Sequence, residues 1–262
     1  MTPVRLKFAL HIYERSSYAR GGFDMKILAM DTTTLVMGVA VLENEKVLGE
    51  VTTNLLKNHS VRLMPTIDRL LQDLDIPLSE IEAIAVTNGP GSYTGIRIGV
   101  TTAKTIAWAR KIPLYSESSL TVLAMNGYRF EGLIVPLFDA KRQRAYSGVY
   151  RRKGEQLIEV IQPQVASLDG WLDQIKALAE PVLFLGDDVA RFHEPIILKL
   201  SEQAIFGNPA ENIPRPSQLG WIAYQKLKRG EQPEGQMFAP DYLQMTEAEA
   251  KWLQKQRNGE RA

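Results

Sequence analysis

The chain has 262 residues, 45% of them hydrophobic and 23% charged, and its 31 basic and 30 acidic side chains leave a net charge of +1. That balance argues against a dedicated nucleic-acid binder, which needs a basic excess. With zero cysteines there are no disulfides, thiol nucleophiles, iron–sulfur clusters or Cys-ligated zinc. The three histidines, His11, His59 and His193, are far apart and form no HxxxH or HExxH pair. No apolar run approaches the roughly 18 residues of a membrane span.

Residues 1–24 read differently from the rest. They are basic, hold no acidic residue before Glu14, and lack a secretory signal pattern. A clean strand begins just after Met25, and Arg20-Gly21-Gly22-Phe23-Asp24 is what a purine-rich ribosome-binding site would encode if translated in frame. Met25 is therefore the expected biological start. A first lobe, 25–129, opens with strands over 26–30, 36–42 and 46–53, whose short links imply antiparallel neighbours. A helix follows over 60–74, with Leu63, Met64, Ile67, Leu70, Leu71 and Leu74 on one stripe. Pro65 conflicts with its first turn. A buried strand at 83–87 leads through a glycine-rich turn into a helix at 94–110 and a short strand at 114–116.

A second lobe, 130–230, repeats the order. Strands are expected at 133–138, 144–150 and 156–161, a helix at 168–179, a strand at 182–186, and helices at 192–200 and 218–227. Each lobe opens with a hydrophobic strand ending in aspartate, Asp31 and Asp139. Two tandem βββαβα units predict an α/β protein of actin-like, ribonuclease-H-like architecture. The remainder, 231–262, is rich in Glu, Gln, Pro and Lys. Its part over 238–243 is expected to lie against the body, with a frayed end.

The glycine-rich turn carries Gly89, Gly91, Ser92, Thr94 and Gly95 between a strand and a helix. Free N–H groups and the helix dipole favour an anion there, but no Gly-Lys-Ser/Thr follows, so it is not a Walker loop. Taken alone, such a turn serves loop packing more often than a ligand. Asp31, Thr32 and Thr33 sit where actin-like ATPases wrap phosphate and organise a metal. The companion pieces are weak, because Asp139 leads into Ala140-Lys141-Arg142 rather than a glycine turn. Asp31 serves equally well as a brace for the neighbouring loop.

Along the helix at 94–110, Gly95, Gly99, Ala103 and Ala107 form a smooth ridge, with Ile96, Val100 and Ile106 toward the core. The opposite side bears Ile98, Thr101, Thr102, Thr105, Trp108 and Ala109, unusually uncharged for a solvent face. A helix apolar on two sides is buried twice, either by its own chain or by a partner helix, and the partner reading is favoured. His59-Ser60 has no acid partner in sequence and reads as a helix start. Lys141, Arg142, Arg144, Arg151, Arg152 and Lys153 make a basic hairpin that either is simply solvated or adds phosphate contacts within a larger complex.

Residues 26–34 (KILAMDTTT), Gly38-Val39-Ala40-Val41, His59-Ser60 with Leu63-Met64-Pro65-Thr66-Ile67-Asp68, and 89–97 (GPGSYTGIR) with Ile98-Gly99 resemble the bacterial TsaB family, also called YeaZ. Residues 137–142 and Pro240-Asp241-Tyr242-Leu243 are similar to its later motifs. Tyr93 stands where Phe is common and Ile96 where Leu is common. The resemblance implies a noncatalytic scaffold for its paralogue, the catalytic subunit TsaD. That complex, with the ATPase TsaE, makes threonylcarbamoyladenosine (t6A) in tRNA. TsaD holds a metal through paired histidines, which this chain lacks. The resemblance implies docking through the two first-lobe helices, with Met64, Ile67, Ile98, Thr101, Thr102, Thr105 and Trp108 at the interface. It implies homodimerisation when alone, no cofactor or metal, only indirect contact with tRNA, no membrane, and a cytoplasmic location. The alternatives are a stand-alone actin-like ATPase or kinase and, less favoured, a glycoprotease-like metallopeptidase.

Overall fold

The computed structural model of the chain describes residues 24–56 and 58–243. Strand β1 (Lys26–Asp31) is buried along nearly its whole length, which explains its continuous apolar run in place of an alternation. It pairs antiparallel with β2 (Val36–Glu43), and β2 with β3 (Lys46–Asn54). On its other side β1 pairs parallel with β4 (Ala83–Thr87), and β4 with β5 (Leu114–Glu117). The order is β3-β2-β1-β4-β5. The second sheet repeats it with β6 (Leu133–Asp139), β7 (Arg144–Lys153), β8 (Gln156–Ser167), β9 (Val182–Leu185) and β10 (Ala204–Phe206), in the order β10-β9-β6-β7-β8.

Parallel neighbours need crossovers, and helices supply them. In the first lobe, α1 (Leu63–Asp73) lies over β2 and β3 and α2 (Tyr93–Arg110) over β4. Leu63, Ile67 and Leu70 of α1 and Ile96, Val100 and Ile106 of α2 meet Leu28, Met30, Val39 and Ile84 of the sheet. Helix α3 (Ser119–Ala124) joins the lobes: Leu120 and Leu123 pack with Ile134, Phe138 and Leu183, while Val122 packs on the first sheet's back face. In the second lobe α4 (Leu168–Lys176) and α5 (Val189–Leu200) bury Trp171, Phe192 and Ile196 against Val135 and Phe184. Each such fully buried aliphatic or aromatic side chain contributes about 1.5–3 kcal/mol.

Several expectations are corrected. The helix expected over 60–74 divides into a 3₁₀ turn, His59–Val61, and α1 starting at Leu63. Pro65 thus falls in the first turn, where its missing N–H costs no helical bond. Helix α3 and strand β10 were not expected, and β8 runs on to Ser167. Helix α6 (Pro216–Lys228) lies within the lobe expected at 130–230, yet it covers the first sheet's back face. Leu219 and Ala223 pack there with Ile27, Ala29, Ala40 and Leu42, an apolar surface that needs a cover. Gly220 permits the approach, since an added Cβ would stand 2.2 Å from Leu42 Cδ1.

From α6 the chain passes around the sheet edge. Glu234 N donates to Leu114 O at 2.8 Å, and its carboxylate accepts from Ser116 Oγ at 2.5 Å. Phe238 reaches the front-face core, and Asp241 N donates to Asn88 O at 2.9 Å. This strap, residues 231–243, covers the edge strand β5. The expectations for residues 1–23 and for the frayed end beyond 243 lie outside the described residues. Among the described residues, no helix is long and apolar enough to cross a membrane.

Candidate docking face and its glycine-rich turn

Ser92 caps α2, its Oγ accepting from Gly95 N at 3.3 Å. Ser92 N donates to Thr33 O at 2.6 Å, and Thr32 Oγ1 donates to Gly95 O at 2.7 Å. The turn after β1 is therefore pressed onto the start of α2. An added Cβ on Gly91 would stand 2.1 Å from Thr33 O, and one on Gly95 2.1 Å from Thr32 O. Gly89 has φ +113° and an added Cβ there would lie 2.6 Å from Asp241 O, so this glycine is required both by its backbone and by the strap. Of the N–H groups at this helix end, Ser92 N and Gly95 N are thus taken up by the chain itself, and the turn after β1 lies close against Gly91 and Gly95. Replacing Gly95 with alanine is expected to cost about 2–4 kcal/mol, because backbone must move. Thermal denaturation beside Gly235→Ala, whose added methyl meets nothing within 4 Å, checks this.

Asp31 braces the same corner. Its Oδ1 accepts from Thr33 N at 2.9 Å, Thr33 Oγ1 at 2.7 Å and Thr87 Oγ1 at 2.7 Å, tying the end of β1 to the end of β4. Its Oδ2 is buried without a partner. Burial pushes the carboxyl above its ordinary value, against the three hydrogen bonds and the nearby His59. His59 Nε2 donates to Thr34 O at 2.8 Å, so this histidine fixes the entry to α1. Asp31, Thr32, Thr33, Gly89, Gly91, Ser92 and Thr94 are thus brought together at one end of α2, with Asp31, Thr32 and Thr33 buried and Ser92 and Thr94 exposed.

Both α1 and α2 start at this end. At the other, Arg110 Nη2 donates to Ser79 O, in the segment after α1, at 2.6 Å, so the two helices run in the same direction. Of the side chains expected at an interface, Thr101, Thr105 and Trp108 are exposed, with Trp108 at 76%, and Met64 is 48% exposed. Thr102 is half-buried. Ile67 is corrected: at 2% exposure it belongs to the core, because it lies at the centre of the stripe that α1 turns to the sheet. Ile98 is half-buried and packs partly on the same core. The sequence reading missed Leu35, Leu55, Leu56 and Val61, which are also exposed around the entry to α1. Apolar residues in loops carry no periodic signal.

The second lobe has no counterpart of the hydroxyl-bearing turn. Lys141, Arg142 and Gln143 all have positive φ. Burial alone would raise the Asp139 carboxyl, but hydrogen bonds from Lys141 and the charges of Lys141 and Arg191 hold it below the usual range. The basic hairpin is not one patch. Arg144 and Arg151 stand on one strand about 20 Å apart, Arg151 pairs with Glu180 at 2.6 Å, and Arg152 lies over the Tyr128 ring. Among the described residues no cluster of three metal-ligating side chains occurs: His59 is in the first lobe and His193 packs its ring, tilted, against Phe206 in the second.

Two lobes built from one repeated βββαβα unit, with mixed sheets of matching strand order, define an α/β protein of the actin-like fold. YeaZ from Pseudomonas aeruginosa superposes with a TM-score of 0.70 at 25% identity, covering 84% of this chain and 100% of that one. A family model, "TsaD: tRNA N6-adenosine threonylcarbamoyltransferase", matches residues 46–252. The tRNA threonylcarbamoyladenosine biosynthesis protein TsaB of Bacillus subtilis is 44% identical over 233 residues, 89% of this chain and 100% of that protein. TsaB of Buchnera aphidicola is 29% identical over 198 residues, 71% of this chain and 90% of that protein. The chain belongs to the TsaB (YeaZ) family, and its role lies in tRNA threonylcarbamoyladenosine biosynthesis.

Proposed function

We propose that this chain is a noncatalytic scaffold subunit of the t6A-forming complex, which binds and supports a TsaD-like catalytic subunit together with a TsaE-like ATPase. The observation that carries the reading is the outward face of α1 and α2. Thr101, Thr105 and Trp108 make an uncharged strip on α2, Met64 lies exposed in the first turn of α1, and Val61 lies exposed in the 3₁₀ turn before it. Exposed aromatic and methionine side chains on regular helices are what a paralogous helix pair packs against. In the absence of that partner, the same face pairs two copies of this chain. The tRNA is met through the complex, in the cytoplasm.

The closed corner at Gly91 and Gly95 supports a role without bound nucleotide in this lobe, and so weighs against a stand-alone ATPase or kinase. A metallopeptidase is supported still less, since among the described residues no three His, Cys, Asp or Glu side chains come together in a way that could hold a metal ion. Reconstitution tests the reading. TsaD-like and TsaE-like subunits, carrier and tRNA are expected to form t6A only when this chain is added, and the chain alone to form none. Full activity in its absence, or t6A formation by this chain unaided, would overturn the proposal.

A further inference from the structure

We infer, resting on this docking reading, that the C-terminal strap is the third ridge of the docking surface. The catalytic subunit meets Met237 of the strap as well as Trp108 of α2, and Lys104 is the positioning residue that fixes the strap in place. Across the front of the first sheet, α1 lies over β2 and β3, α2 over β4, and the strap runs along the β5 edge. Helix α2 therefore has α1 on one flank and the strap on the other.

Lys104 stands one helical turn before Trp108, which is 76% exposed. Its ammonium donates to Gln236 O at 3.2 Å and Phe238 O at 2.6 Å. Those two carbonyls bracket Met237, whose side chain is 93% exposed. Phe238 is half-buried and packs against the core, and at the far end Tyr242 packs on Tyr93 with ring centroids 5.0 Å apart. The segment is held on both sides of a methionine that it presents outward. An unfastened tail would give that methionine no fixed position, whereas here the lysine gives it one.

The area required points the same way. Helix α2 has 18 residues and α1 has 11. At 1.5 Å per residue and about 10 Å of width, the two present a footprint of roughly 400 Å². A stable interface takes about 800 Å² of accessible surface from each partner, and a ridge flanking the two helices adds to what they offer. Methionine is flexible and polarizable, suited to an apolar partner surface that the rigid helices fit only in part. The occupant is thus the catalytic subunit already seated on α2, extended by one ridge.

Titration of the full chain onto purified TsaD-like subunit tests this. Met237→Asp is expected to weaken binding about tenfold or more, and Lys104→Met about threefold or more. Hydrogen exchange in the free protein should accelerate across residues 231–243 in Lys104→Met, and Lys104→Arg, which keeps the donors, should restore both readouts. Wild-type affinity in Met237→Asp, or unchanged exchange in Lys104→Met, would overturn the inference. If Trp108→Asp loses binding while Met237→Asp and Lys104→Met keep it, the inference falls and the docking reading stands. If the wild-type chain does not bind at all, the docking reading fails and the inference with it.

Discussion

Trp108→Asp is expected to abolish binding of the catalytic subunit while leaving the fold unchanged. The indole is 76% exposed, so its removal takes little packing from the core, and an exposed substitution of this kind shifts stability by about 0.5 kcal/mol at most. Once a partner covers the position, the same carboxylate is desolvated without a counter-charge. That costs about 2–5 kcal/mol, a weakening of roughly 30-fold to several thousandfold. Urea denaturation should superpose with wild type while titration shows no complex at concentrations that saturate the wild-type chain. Ile98→Asp makes the contrast. Ile98 is half-buried and packs on the core, so a charge there is expected to lower stability as well as binding. A variant set in which Ile98→Asp were harmless and Trp108→Asp unfolded the chain would reverse the assignment of faces.

The two lobes share a topology but differ at their helix pairs. In the second, Lys199 of α5 reaches Asp169 at 2.9 Å and Asp173 at 2.7 Å on α4, which closes that pair with its own charges. Hydrogen bonds to Asp173 and Asp169 hold the ammonium above its ordinary pKa. In the first, the ion pair on α1 stays within the helix, Arg69 to Asp73, and the strip on α2 bears no charge. Duplication supplied two equivalent surfaces; charge placement left only the first of them free of a cross-helix ion pair.

Much of this was legible in the sequence because strands and helices announce themselves by period. The repeated order of strands, the aspartates ending β1 and β6, and the second apolar side of α2 all follow from spacing. Strand β10 was not legible, because three residues are too few for a period, and α3, with six residues, is too short to show a helical one. The placement of α6 was hidden for another reason: amphipathicity says that a helix has a buried face but not which sheet receives it. Ile67 was misassigned because α1 carries a single apolar stripe, and a helix uses its only stripe for its own core, leaving Met64 at the margin. The strap's attachment was invisible because Lys104 binds carbonyl oxygens, which every residue carries.

Asp31 is expected to dominate the stability of the corner from which α1 and α2 spring. Asp31→Ala removes the acceptor for Thr33 N–H, Thr33 O–H and Thr87 O–H in a dry site, leaving three buried donors unmet. The loss should be about 3–5 kcal/mol. Asp31→Asn keeps an acceptor oxygen and should lose about 1–2 kcal/mol. The pH dependence distinguishes the ionised from the neutral carboxyl. Because the folded-state pKa lies above the ordinary value of 3.8, the folded chain holds this proton more tightly than the unfolded chain does. The stability contribution is complete below the unfolded pKa. It declines as pH rises from there through the raised folded pKa, then levels off. Asparagine has no such proton, so the stability of wild type minus that of Asp31→Asn should fall across that window and stay flat above it. Urea melts of both proteins from pH 3.5 upward measure the difference. A flat difference would mean that the three hydrogen bonds balance burial, a rising one that they outweigh it, and equal losses in the alanine and asparagine variants would mean that Asp31 Oδ1 does not brace the turn.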